Sequence, residues 1–104
     1  MDKDEMMAEK TRALLTRRRP RDLYDAYFLL KKDAKIDFAL INKKLEYYAA
    51  RFDFAVLTSR IADLKTEWNK ELDILMGQPP GFEETAGFVL KSFVDAENTA
   101  GKTK

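Results

Sequence analysis

Three charged residues near the start of the chain occupy positions where charge is costly unless something answers it. Lys10 lies three and four residues from Met6, Met7, Ala13 and Leu14, on the apolar stripe of the first amphipathic segment rather than opposite it. A lysine stem can run along apolar surface, but an ammonium directed toward a core needs an anion. Asp22 and Asp25, three apart, share one face of the next segment, which is otherwise apolar and sets Ala26 and Leu29 beside them. One inward lysine and two carboxylates on neighbouring helices admit two readings. In the first, Asp22 is a first-turn acid that satisfies free amides and complements the helix dipole, while Asp25 pairs with Arg21, Arg18 or Lys10. In the second, Lys10 grips a substrate phosphate and Asp22 stands in the same cleft. A divalent metal wants further oxygens converging with these two, and the sequence offers no obvious third, so no metal ligands are assigned.

Composition narrows the remaining chemistry. The chain has no cysteine, which removes disulfides, thiolate nucleophiles and thiolate metal sites. It has no histidine, which removes imidazole proton shuttles, histidine triads and histidine-ligated zinc. Carboxylates, lysine, arginine, tyrosine and hydroxyls are left. Nineteen basic residues against eighteen acidic ones give a formal charge of +1, which argues against a nucleic-acid binder selected by bulk charge. A local cluster, Arg17, Arg18, Arg19 and Arg21, either holds a phosphate backbone or is the solvated end of a helix complementing its dipole. Tyr24, Tyr27, Tyr47 and Tyr48 either stack bases or fill a core at helical spacing. The lysines at 31, 32, 35, 43 and 44 fit solvated faces. No apolar run approaches a membrane span and the N-terminus is acidic rather than signal-like, so the expectation is a soluble, cytoplasmic protein with no membrane partner.

The elements that must position these residues are helices. Helical periodicity dominates, with four glycines and three prolines as punctuation, and 45% hydrophobic residues suffice for a core. The pattern predicts an all-α, compact bundle of about five helices, with mostly antiparallel neighbours joined by short loops. The first spans about 2–18, acidic at its start and basic at its end. Pro20 opens a second, 20–32, which is apolar nearly all round and should be the central element. Asp37 and Asp53 are matching N-caps, each with an apolar residue before it (Ile36, Phe52) and another four positions beyond (Ile41, Leu57). They start helices at about 38–51, with the stripe Ile41, Leu45 and Tyr48, and at 54–76, with Leu57, Ile61, Leu64, Trp68, Leu72 and Leu75. Gly77 fits a C-cap before the Gln-Pro-Pro-Gly break, and a fifth helix, 82–96, presents Phe82, Ala86, Val89 and Phe93. The division is then a helical domain over 1–96 and a disordered tail over 97–104.

The order of residues adds to this. The run AEKTRALLTRRRPRDLYDAYFLL, residues 8–30, resembles the third and fourth motifs of the AbiEii/AbiGii-type nucleotidyltransferase toxins, in which a Glu-Lys pair on one helix precedes an Arg-Asp-Leu-Tyr-Asp run opening the next. The rest of the chain resembles the family's C-terminal helical portion more loosely, through Trp68 and the Pro-Gly-Phe-Glu-Glu break at 80–84. The resemblance implies that Lys10 contacts the bound nucleotide and that Asp22 is the acidic residue near it. Glu9, Arg21 and Asp25 are then supporting positions. Thr11 replaces the apolar residue usual after the Glu-Lys pair, and Ala26 a frequent leucine; neither touches the chemistry.

The same resemblance sets a contrast. Nucleotidyl transfer needs a divalent metal on carboxylates to neutralise the triphosphate and align the attacking hydroxyl. The family draws those carboxylates and a Gly-Gly-Thr phosphate loop from a mixed sheet preceding the Glu-Lys motif. Here Met1 falls nine residues before Lys10 and no glycine occurs before Gly77. The expectation is therefore a fragment of a toxin from a toxin–antitoxin or phage abortive-infection system, inactive alone. A nucleoside triphosphate and Mg2+ belong to the complete enzyme and neither to this chain by itself. Its partners would be the N-terminal domain or an antitoxin, with the acceptor left open between tRNA or another nucleic acid, a protein and a nucleotide. The alternative is a stand-alone helical module, derived from that family, for protein interaction or homodimerisation. Either idea leaves a face uncovered, to be sought as an exposed apolar patch around Met6, Met7 and Leu14.

Overall fold

The computed structural model describes residues 2–102. Those residues form six helices and no strand: α1 (Lys3–Thr16), α2 (Pro20–Lys31), α3 (Phe38–Glu46), α4 (Phe54–Ala62), α5 (Lys65–Met76) and α6 (Phe82–Lys102). The class matches the pattern in the sequence. The count is six rather than five because the expected fourth helix, 54–76, divides at Asp63 and Leu64. There the backbone stays right-handed, but ψ flattens to −17° and −12°, and the Leu64 N–H donates to the carbonyl of Ile61, three residues back. One tightened step turns the axis without any glycine or proline to announce it. The apolar stripe passes through the bend unbroken: Leu57, Ile61, Leu64, Trp68 and Leu72 are all buried. Leu75, last of the expected stripe, lies outside the described side chains.

Start signals behave as their chemistry dictates. Asp37 accepts from the Leu40 N–H at 3.1 Å, and Asp53 from Ala55 and Val56 at 2.9 and 3.3 Å. Asp2 does the same for α1, taking the Glu5 N–H at 2.8 Å. The end signals diverge more. α3 stops at Glu46, five residues before the expected end, because Ala49 adopts φ +53° and the Ala50 N–H reaches back to the Leu45 carbonyl. Such a left-handed C-terminal turn usually takes glycine, which hid it in the sequence. The loop that follows is pinned by the Phe52 N–H donating to Asn42 Oδ1 at 2.6 Å. As a result Tyr48 leaves the stripe to which it was assigned and is exposed. Gly77 does cap α5, at φ +76°, with its N–H on the Asp73 carbonyl. α6 continues to Lys102, six residues past the expected end at 96, since an established helix propagates cheaply and no proline intervenes. Residues 103–104 of the expected tail lie outside the described residues.

The first two helices share the centre. α1 packs against α2, α3 and α4, whereas α2 packs against α1, α5 and α6. α2 was expected to hold that place alone. α1 joins it because six of its fourteen residues are buried, including Met7, Leu14 and Leu15. The core is therefore continuous, with Trp68, Phe93, Met7 and Leu23 among its largest fully buried side chains. Thr11, in place of an apolar residue, is buried at no polar cost because its hydroxyl donates to the Met7 carbonyl at 2.8 Å. The patch sought around Met6, Met7 and Leu14 does not form: α2, α3 and α4 cover Met7 and Leu14, and of the three only Met6 is exposed.

Trp68 ties α5 to the break before α6. Its ring stands edge-on to Phe82 at 5.7 Å, and its Nε1 donates to the Pro80 carbonyl at 2.9 Å. Trp68→Phe keeps an aromatic ring but strands that carbonyl, so the variant should lose about 1–3 kcal/mol. Urea denaturation should show a lower midpoint at unchanged slope; an unaltered midpoint would deny the bond any part in stability.

Candidate functional site

The connection between α1 and α2 is three arginines long, residues 17–19, and ends on Pro20 at the first helical position. This tight corner decides where Asp22 goes. Its side chain is only 3% exposed and accepts two hydrogen bonds from Arg17, from Nε at 2.8 Å and Nη2 at 2.9 Å. A planar guanidinium meeting a carboxylate with two parallel bonds is the strong form of ion pair, and it neutralises an acid that burial would otherwise penalise. Asp22 thus serves Arg17 rather than the free amides at the start of α2, which has no side-chain cap. The bond to Asp22 raises the Arg17 pKa further above its ordinary value.

Lys10 reaches the same corner from the preceding turns of α1. Its Nζ is 2.8 Å from Asp25 Oδ2 and 3.6 Å from Asp22 Oδ1, and its side chain remains 29% exposed. The lysine that looked inward is thus answered by both carboxylates and keeps one side open. Arg21 adds a looser contact to Asp25 at 3.8 Å, and Arg18 turns away to Asp63 at 3.6 Å, fastening the corner to the α4–α5 bend. Beside this network opens a cleft of about 480 Å³, lined by Lys10, Arg17, Arg19, Arg21 and Asp22 and bordered on its far side by Glu71 and Ile74 of α5. Four cations against two carboxylates give its lining a net positive charge, which attracts anions. A larger groove of about 920 Å³ elsewhere carries the opposite sign, with Asp4, Asp33, Asp37 and Asp95 along it, and does not suit a phosphate.

Of the five residues singled out in the sequence, four meet here: Lys10, Arg21 and Asp22 line the cleft, and Asp25 holds Lys10. Glu9 points elsewhere. It pairs with Arg12 and, at 3.5 Å, with Lys44 of α3, and Arg12 in turn lies over the Tyr48 ring and donates to its hydroxyl at 3.2 Å. Glu9 therefore braces α1 against α3. Partial burial pushes its pKa up, but the hydrogen bond and charge of Arg12, with help from Lys44, outweigh that and hold the carboxyl below its usual range. Arg17 had been grouped only with its basic neighbours; its place just past α1, five residues before Asp22, was the available signal for its pairing. Glu71 and Ile74 had no signal, because only tertiary packing brings α5 to this corner. Tyr24 and Tyr27 pack on the core, whereas Tyr47 is 91% exposed.

The carboxylates of the corner do not fit a divalent metal. Asp22 is spent on Arg17, Asp25 is shared by Lys10 and Arg21, and the described residues include no cluster of three acidic ligands. What the arrangement can do is grip phosphate oxygens, through a half-open ammonium and guanidinium groups held in place by acids behind them.

The chain is thus a helical domain that gathers four cations at one corner, with the buried acid among them already neutralised. Over residues 1–95 the chain matches the family described as nucleotidyl transferase AbiEii toxin of type IV toxin–antitoxin systems, and it belongs to that family. No curated protein and no solved structure matches it. Membership implies an antitoxin partner, and nucleotide and metal use by a full enzyme of the family. No helix among the described residues is long and apolar enough to cross a membrane.

Two variants test the electrostatics. Arg17→Met leaves Asp22 buried with only Lys10 nearby, so it should lose about 2 kcal/mol, the scale of hydrogen bonds to a charged group; a denaturation midpoint equal to that of the parent would refute this. Glu9→Gln should lose less than about 1 kcal/mol at neutral pH, since the pair is a third exposed and screened by water. Because the folded-state pKa of Glu9 is depressed, its contribution is present above the unfolded value near ~4.3 and vanishes as pH falls through the folded value. The stabilities of parent and variant should therefore converge in acid, and a gap that persists there would assign the loss to packing instead.

Proposed function

We propose that this chain is the nucleotide-contacting helical part of an AbiEii-type nucleotidyltransferase toxin acting in the cytoplasm, and that these 104 residues alone do not transfer nucleotides. The observation that carries the reading is the convergence of Lys10, Arg17, Arg19 and Arg21 on one cleft, inside the stretch that carries the family's motif. Lys10 contacts a phosphate of the nucleoside triphosphate and gives up part of its bond to Asp25 as it does so. Asp22 fixes the Arg17 guanidinium, so that its remaining N–H groups face the cleft. Arg21 adds charge, and Asp25 keeps Lys10 extended.

In nucleotidyl transfer an acceptor hydroxyl attacks the α-phosphorus and pyrophosphate leaves. Divalent metal, where bound, neutralises the triphosphate and aligns the hydroxyl. The acids of this corner are engaged by arginine and lysine, which supports metal-holding carboxylates lying outside these helices. An exposed apolar face around Met6, Met7 and Leu14 is expected of this reading and of the alternative, a stand-alone interaction module; Met7 and Leu14 are buried, so that face supports neither.

The purified chain, incubated with labelled nucleoside triphosphates, Mg2+ and candidate protein or tRNA acceptors, should transfer no label; transfer would overturn the claim of inactivity. It should nevertheless bind inorganic tripolyphosphate in calorimetric titration, and Lys10→Met should weaken that binding about tenfold, the value of one charge-assisted hydrogen bond. The fold should survive the change, since Asp22 keeps Arg17 and Asp25 keeps Arg21. Equal affinity in Lys10→Met would remove Lys10 from the site.

A further inference from the structure

The cation-lined cleft does not end at α5. A second, shallow hollow of about 350 Å³ lies on the outer face of α5 among Glu67, Lys70, Glu71 and Ile74, so Glu71 and Ile74 border both spaces. The two spaces differ in character. One is edged by four cations. The other is edged by two carboxylates and one ammonium around an isoleucine, a balance that repels phosphate and leaves an apolar surface beside hydrogen-bond acceptors.

Two properties of the shared wall are unusual for a helix of this bundle. Ile74 is 82% exposed, while Trp68 and Leu72 on the opposite face of α5 are buried, so its side chain is set outward at the join of the two spaces. A lone exposed isoleucine would need no comment by itself; its position at the edge of a charged cleft does. Glu71 is half-buried and lines a cleft with four cations, yet among the described residues it makes no ion pair with any of them. A carboxylate left unpaired there keeps its acceptor oxygens for another donor.

The geometry points to a nucleobase subsite on α5: with the triphosphate on the cations of α1 and α2, the base lies against Ile74, and Glu71 accepts a hydrogen bond from its amino or ring N–H group. This inference rests on the phosphate reading given above and adds to it the part of the nucleotide that α5 recognises. A base face against an aliphatic side chain is held by dispersion and exclusion of water. The carboxylate favours bases with an exocyclic amino group over uracil, whose one ring N–H on the Watson–Crick edge is flanked by two carbonyl oxygens that the carboxylate repels.

Calorimetric titration of the chain with tripolyphosphate, ATP, GTP, CTP and UTP tests this. At least one amino-bearing nucleotide should bind about tenfold more tightly than tripolyphosphate, with UTP nearest to tripolyphosphate. Ile74→Ser, at a position too exposed to affect folding, should weaken that nucleotide five- to tenfold relative to tripolyphosphate. Glu71→Gln should narrow the gap between the amino-bearing nucleotide and UTP. Nucleotides that bind no better than tripolyphosphate, or a tight nucleotide indifferent to Ile74→Ser, would overturn the base subsite while the phosphate site stands. An equal gap in Glu71→Gln would remove Glu71 from it. Failure of every ligand, tripolyphosphate included, would bring down the phosphate reading and the subsite with it.

Discussion

Burying a carboxylate between two helices is admissible only if its charge is met on the spot, and in this chain the requirement falls on Asp22. Arg17 meets it with both of its parallel N–H groups, from a backbone that has just left α1. That bond fixes the path of residues 17–19, and the path fixes how α2 lies along α1. From there the consequences spread. The same corner gives Lys10 its two anions and swings Arg18 out to the bend between α4 and α5. Breaking the pair would disturb the packing of the two central helices as well as the cleft, so stability and site share one constraint.

The site is best understood as cations held by acids rather than acids held by cations. Asp22 and Asp25 are more buried than the groups they pair with, and they sit behind the ammonium and guanidinium groups that face solvent. An anion arriving at the cleft meets donors whose orientation is already set, which lowers the ordering cost of binding. The arrangement equally explains why the two aspartates are poor metal ligands, since a cation would have to displace Arg17 or Lys10 to reach them.

Most of the local structure was legible because it is encoded by neighbours in the chain. The caps at Asp37 and Asp53, the stripe from Leu57 to Leu72 and the stop at Gly77 all depend on residues within a turn or two of one another. The oddity of Lys10 was visible for the same reason, through its helical neighbours. What escaped was whatever a helix does without its usual residue type or over long separation. Ala49 turns left-handed where glycine was the sign to look for, and Asp63 and Leu64 bend a helix whose apolar spacing continues as if straight. Glu9, next to Lys10 in sequence, faces a different helix because adjacent helical residues diverge by 100°. Glu71 and Ile74 reach the cleft only through packing of α5 against α2, which no local pattern specifies.

The single tryptophan acquires a use from its position. Trp68 is held at both edges, by the Phe82 ring and by the Pro80 carbonyl, on the helix that walls the cleft. Indole emission responds to the polarity and hydrogen bonding around Nε1, and no second tryptophan obscures it. The chain therefore carries a built-in optical gauge of α5, readable without labels, in which a small displacement of one wall of the cleft becomes a change of colour.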